Sequence, residues 1–296
     1  MFAPPMVYRH RLGVAFALAL VAGIARAGTP APLTAADLTG ARALSMGGAF
    51  RAMTGGNESL YLNPAALAVG KRYSFEALYL NDRTGADSDQ QWAGLSVVDG
   101  SNSLAAGFAY HRLPAGLTQG NAYHLALATP IGESLYVGAT GKYLQLNLPS
   151  GARDRELNAD VGLFLRVNSF VSIGGAAYNL LASSHREQTP RGMGAGLAIG
   201  DERTFHVAAD WRGDFDNGQG KSSNAFGAGA EYLLLDFIPL RAGYVKDDTL
   251  GGRFWTAGAG VVSAAGTAID VAYRQSLDDA SRRTLMVALK VFLPTM

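Results

Sequence analysis

The chain has 296 residues, no cysteine, 37 glycines, 11 prolines and a formal net charge of +1. Its 48 % hydrophobic and 17 % charged residues exclude intrinsic disorder, and the lack of cysteine excludes a disulfide scaffold and a thiolate metal site. Glycine, at about an eighth of the chain, is well above the ~7 % of average proteins, and the absence of a basic excess argues against nucleic acid as a partner.

Residues 1–27 read as an export address. Arg9 and Arg11 precede an uncharged run from Leu12 to Ala25, and Ala25-Arg26-Ala27 leads into Gly28. A basic start, a short apolar core and a small-residue cleavage site make a secretory signal peptide. The run is about 14 residues long, too short for a ~20-residue membrane helix. Removing the signal leaves 22 basic against 24 acidic residues. The longest later uncharged stretch, Val167 to Ser184, carries Asn168, Ser169, Gly174, Gly175 and Asn179, and does not suit a membrane helix.

Residues 28–72 do not alternate in polarity. They hold the run Gly40-Ala41-Arg42-Ala43-Leu44-Ser45-Met46-Gly47-Gly48-Ala49-Phe50 and then Asn63-Pro64-Ala65-Ala66-Leu67-Ala68. Pro64 fixes its own φ and pushes Asn63 out of the helical region. An asparagine side chain there bonds nearby backbone, which predicts a sharp turn.

From Tyr73 to the end, residues 73–296, the chain alternates. Leu157, Ala159, Val161, Leu163 and Leu165 fall on one face, opposite Asn158, Asp160, Gly162 and Arg166, with Phe164 as the exception on the polar side. A period of two is a strand with one apolar face. Fourteen such strands are predicted, near 73–81, 90–98, 103–112, 121–129, 135–148, 156–167, 170–179, 191–199, 204–212, 223–233, 238–246, 253–263, 267–275 and 283–292. The connections between them alternate longer and shorter. An even number of ~10-residue alternating strands, with long loops at one rim and tight turns at the other, predicts a fourteen-stranded antiparallel transmembrane β-barrel. Outer-membrane lipid is therefore an expected partner. Tyr73, Tyr79, Tyr110, Tyr123, Tyr178, Tyr232 and Tyr244 fall near strand ends, as aromatic girdles require.

The alternation places Glu76, His111, His124, Lys142, Asp160, Arg166, His206, Asp210, Arg212, Glu231, Arg241, Asp270, Arg274 and Lys290 inside the barrel. Charges of both signs mix, so nothing points to a pore for one kind of ion. Gly194, Gly196, Ala225, Gly227, Gly229, Gly258 and Gly260 share the inward face and leave room for something to fill the lumen.

The glycine run followed by Asn-Pro-Ala resembles the amino-terminal segment of the FadL-type outer-membrane proteins, which include long-chain fatty-acid transporters and smaller PorV/PorQ-like proteins of secretion. The motif covers about 30 residues, and the strand count matches that family's barrel. The resemblance implies that residues 28–72 form a short plug, or hatch, inside the barrel. Gly40, Arg42, Met46, Gly47, Gly48, Asn63, Pro64 and Ala65 are its motif positions. It also implies a bacterial outer-membrane location and passive transport of small hydrophobic compounds. The alternative within the same family is a PorV/PorQ-like role in secretion or surface attachment, with a secretion-system component as partner. The short connections fit that branch better than the longer transporters.

No catalytic constellation stands out. His10, His111, His124, His185 and His206 do not pair at ligand spacing, the Gly40 run lacks a phosphate-loop lysine, and no G-x-S-x-G elbow is present. Asp247-Asp248 and Asp278-Asp279 read as solvated turns. Neither an enzyme nor a metal or cofactor is expected. An outer-membrane hydrolase built on His111, His124 and His206 is the least supported reading.

Overall fold

The computed structural model describes residues 39–84, 89–113, 119–147, 153–184, 186, 189–216 and 222–293; the expected signal peptide lies outside the described residues. Period-two polarity becomes fourteen strands: β1 (Tyr73–Thr84), β2 (Asp89–Asp99), β3 (Ala105–Leu113), β4 (Gln119–Ile131), β5 (Leu135–Asn147), β6 (Arg153–Arg166), β7 (Val171–Tyr178), β8 (Arg191–Asp201), β9 (Phe205–Asp216), β10 (Ser223–Leu234), β11 (Ile238–Asp247), β12 (Gly252–Val262), β13 (Thr267–Ser276) and β14 (Arg282–Leu293). Each pairs antiparallel with its sequence neighbours, and β1 pairs with β14 from Tyr73↔Leu293 to Thr84↔Arg282, so the sheet closes. Closure leaves no strand edge, as a bilayer demands.

The two faces of the wall differ as the alternation requires. On β6, Glu156, Asn158, Asp160, Gly162 and Phe164 are buried, while Leu157, Val161, Leu163 and Leu165 are exposed. Around the wall the same outward face carries Phe75, Leu95, Phe108, Leu125, Leu197, Phe226, Ile269 and Leu289, all more than 40 % exposed. An apolar surface of that extent belongs in a bilayer. Part of an aromatic belt is visible on it: Tyr110 and Tyr123 lie 5.3 Å apart, and Tyr123 and Tyr143 6.0 Å.

The rim where β1 begins and β14 ends is called here the near rim, and the opposite one the far rim. Several strands run further toward the far rim than predicted. β9 continues past Arg212 to Asp216 because its alternation continues: Asp214 is buried inside and Phe215 is exposed outside. β6 likewise begins at Arg153. Most connections at the far rim are therefore shorter than the sequence suggests; residues 179–190 between β7 and β8, the longest, are the exception.

Ahead of β1 come two short helices, α1 (Ala41–Ser45) and α2 (Ser59–Leu62), and a 3₁₀ turn, Pro64–Ala68. The consecutive left-handed residues Gly47 (φ 67) and Gly48 (φ 79) end α1 and reverse the chain, and the Gly48 amide donates to the Ala43 carbonyl over 2.8 Å. Met46, Phe50, Met53, Leu60 and Leu67 from this segment are buried with inward residues of the barrel, including Val98, Ala109, Ala126 and Phe164.

Candidate functional site

The interior glycines are where segment 39–72 presses on the wall. A Cβ on Gly229 would lie 2.5 Å from the Met46 carbonyl oxygen, and one on Gly243 2.5 Å from the Gly47 amide nitrogen. A Cβ on Gly138 would lie 2.6 Å from the Ala65 amide nitrogen, and one on Gly162 2.8 Å from the Pro64 ring. Backbone packs on backbone at Gly138, Gly229 and Gly243, and the Pro64 ring on backbone at Gly162, which no other residue type allows. Asn63, extended at φ −160, joins three parts of the molecule. Its Nδ2 donates to the carbonyls of Arg51 (2.7 Å) and Leu163 (2.9 Å), and its Oδ1 accepts from the Ala65 amide.

Charges lock the segment to the near half of the wall. Arg42 forks onto Glu231 of β10, with Nε and Nη2 at 2.9 and 2.8 Å from the two carboxylate oxygens, and Nη1 donates to the Thr54 carbonyl. Burial alone would lower the Arg42 pKa; Glu231, with Glu202, reverses this and raises it above the ordinary value, so the guanidinium stays charged. Glu231 also pairs with Arg241 of β11, which reaches Asp270 of β13 at 2.6 Å. Lys290 of β14 lies 2.8 Å from Glu58 of the segment, 3.1 Å from Glu76 of β1 and 3.6 Å from Asp270. A second lock sits at mid-height. The Asp210 carboxylate accepts from the amides of Phe50 and Arg51 and pairs with the Arg51 guanidinium at 3.0 Å. Arg51 Nε donates to the Tyr178 hydroxyl, which donates to the Leu62 carbonyl.

The far half is different. Leu78, Leu80, Trp92, Leu113, Leu144, Leu146, Val245, Phe254 and Met286 all face inward and are buried with one another and with Ala41 and Leu44 of the segment. The sequence reading passed over them, although parity marks them: Leu78 and Leu80 share the face of Glu76, and Leu144 and Leu146 that of Lys142. Two cavities border the segment. One borders Gly47, Gly48, Arg51, Asp210, Arg212 and Arg274. The other borders Tyr61, His124, Lys142, Asp160, Tyr178 and Asn179.

The interior residues named from the sequence fall into separate groups. Glu76, His206, Glu231, Arg241 and Asp270 gather in the near half, with His206 Nε2 3.6 Å from Glu231. His124, Lys142 and Asp160 meet beside the second cavity, where Lys142 lies 2.6 Å from Asp160. Arg212 pairs with Asp214 at 3.1 Å, and Arg274 lies 3.6 Å from Asp82 near the far rim. Arg166, the last residue of β6, keeps the inward parity of Phe164 and is exposed at the near rim, 6.0 Å from the ring of the inward Tyr136. Tyr178 departs from its expected girdle position, because it shares the inward parity of Gly174 and Ala176. Among the described residues no group of three histidine, aspartate or glutamate side chains is placed to hold a metal ion. His111 and His124 are neighbours at 5.9 Å between rings, and His206 stands apart from both.

A closed antiparallel barrel of fourteen strands with an apolar exterior is a transmembrane β-barrel of the bacterial outer-membrane kind. More narrowly, the fold is that of the FadL-type proteins. The Ralstonia pickettii toluene transporter TbuX superposes with a TM-score of 0.65 at 16 % identity, over 86 % of this chain and 98 % of its own. The Pseudomonas putida toluene transporter TodX gives 0.62 at 14 %, over 88 % and 98 %. A Pseudomonas aeruginosa FadL homologue gives 0.62 at 12 %, over 91 % and 100 %. No family model and no curated protein sequence matches the chain.

Proposed function

We propose that this protein is a passive outer-membrane channel for small hydrophobic compounds, with residues 39–72 as a plug that closes it from the near, periplasmic side. The observation that carries this reading is the inward apolar cluster of the far half. Porin-type lumens are polar and water-filled, and an apolar solute gains nothing from a water-filled passage. Leu78, Leu80, Trp92, Leu113, Leu144 and Leu146, which bury one another beside Leu44 of the segment, give such a solute apolar contact in place of water once that packing opens. The fold shared with toluene transporters supports the same class of cargo. The secretion-docking alternative gains no support from these neighbours.

The test compares uptake of a hydrophobic probe by proteoliposomes carrying the mature protein or a variant lacking residues 28–72. Uptake by the intact protein, changed by the deletion, is the expected result. No uptake by either variant, from protein shown to be folded, would overturn the channel reading.

A further inference from the structure

At the far rim the wall sorts charge by sign. Arg112, Arg153, Arg155, Arg191, Lys246 and Arg283 stand exposed at the far ends of their strands, on the outward face. Acids of the same strand ends point the other way: Asp82, Glu156, Asp214 and Asp247 are buried inside. The near rim shows no such sorting, since exposed Glu133 and Asp236 stand there with Lys71, Arg166 and Arg203. Two pairs of cations face each other directly across neighbouring strands, Arg83 with Arg283 and Lys246 with Arg253. Like charges so placed destabilise a sheet. Asp278 offsets Arg253, but Lys246 has no partner among the described residues.

Depth and shape narrow what could meet these cations. One outward step below Lys246 is Tyr244, and one below Arg253 is Trp255, both exposed. Rings of this kind mark the interface of a bilayer, and a step of two residues is ~7 Å. The cations therefore stand at headgroup level. Beneath Lys246 the outer wall is hollowed. Ala209, Ala228, Ala230 and Ala242 floor a depression of about 640 Å³, bordered by Leu197, Val207 and Tyr244. Its lining is apolar and it opens toward the bilayer, so hydrocarbon is what fills it. Anion above and hydrocarbon below describe a lipid.

We propose that Lys246, Arg253 and the alanine hollow form a seat for one phosphorylated glycolipid of the outer leaflet. Its phosphate rests on the Lys246–Arg253 pair and relieves their repulsion, and one acyl chain fills the hollow. With the near rim on the periplasmic side, as its tight turns imply, the far rim meets the leaflet where such lipids reside. The seat is on the outer wall and is independent of what the lumen carries.

Native mass spectrometry of the mature protein, extracted from vesicles of phosphatidylcholine and bisphosphorylated lipid A, reads the seat directly. The expected result is one lipid A retained per barrel, with its dephosphorylated form retained about tenfold less. Lys246→Glu gives Arg253 an opposite charge across the strands. It should abolish the preference for the phosphorylated form without lowering the barrel's resistance to heat in detergent. Ala228→Phe with Ala230→Phe fills the hollow and should lower retention of both forms. Arg112→Glu, on β3 and remote from the hollow, should change neither. No retention, equal retention of the two forms, a preference that survives Lys246→Glu, or an equal loss on Arg112→Glu would each overturn the proposal. A dimer that the paired alanine substitutions break would give the hollow to a second copy of the chain and overturn it as well. The comparison of the two lipid forms on the unaltered protein stands even where a variant fails to fold.

Discussion

In the near half of the barrel, β1, β10, β11, β13 and β14 point Glu76, Glu231, Arg241, Asp270 and Lys290 inward, where they meet Arg42 and Glu58 of the amino-terminal segment. In the far half, β1, β11, β12 and β14 point Leu78, Leu80, Val245, Phe254 and Met286 inward. One wall therefore carries two linings. The charged lining pairs with Arg42 and Glu58 of the segment, and the apolar lining packs against Ala41 and Leu44 of the same segment. Directional pairing fixes the segment in one place, whereas apolar contact is non-directional and sets no single position.

Changes that break the charged lining should have the largest effects. Lys290→Met leaves Glu58, Glu76 and Asp270 buried without their shared cation. The expected loss is about 3–5 kcal/mol, read as a shift of the urea midpoint for unfolding of the protein in lipid vesicles. Next comes the seating of the segment. Gly243→Val places side-chain atoms where the Gly47 and Met46 backbone now lies. It should raise leak of the hydrophobic probe while leaving the barrel's resistance to heat unfolding on gels largely intact. Asn63→Ala removes three hydrogen bonds and should loosen the same segment by about 1–3 kcal/mol, detected as faster proteolysis within residues 39–72.

The apolar lining is sharpened by Leu144→Asn with Leu146→Asn. Uptake of the hydrophobic probe should fall several-fold with the plug still seated; unchanged uptake would separate the cargo path from this cluster. The smallest effect is expected at the far rim. Arg253 and Asp278 pair at 2.5 Å in full view of solvent, and the hydrogen bond from Arg253 holds the Asp278 carboxyl below its ordinary range. Whatever this pair adds is present at neutral pH and disappears as pH falls through that lowered value. Exposed pairs contribute little, so Asp278→Ala should leave the melting temperature unchanged within error.

The barrel was legible in the sequence because its signal is local: a polarity that flips at every residue over ten positions needs no partner to be seen. Phe164, an exception in that pattern, has its reason in the structure, where it faces inward and meets Tyr136 edge-on at 6.0 Å. The inward leucines carried the same parity signal and were hidden only by the expectation that lumens are polar. The pairing of Arg42 with Glu231 and of Glu58 with Lys290 was not legible. Those partners are 189 and 232 positions apart, and neither pair arises from strand register. Tyr178 was misplaced because tyrosine near a strand end suits a girdle, whereas parity turns it toward Arg51.

Lys290 sits on β14, the strand that closes the sheet onto β1, while Glu58 and Glu76 lie more than 200 positions earlier in the chain. Zipping β14 to β1 and docking the leading segment thus converge on a single ammonium group. Contacts of such long sequence separation form late and slowly. A chain halted before β14 lacks both the seam and the cation that anchors its own beginning, so lumen filling and wall completion are coupled into one terminal step of assembly.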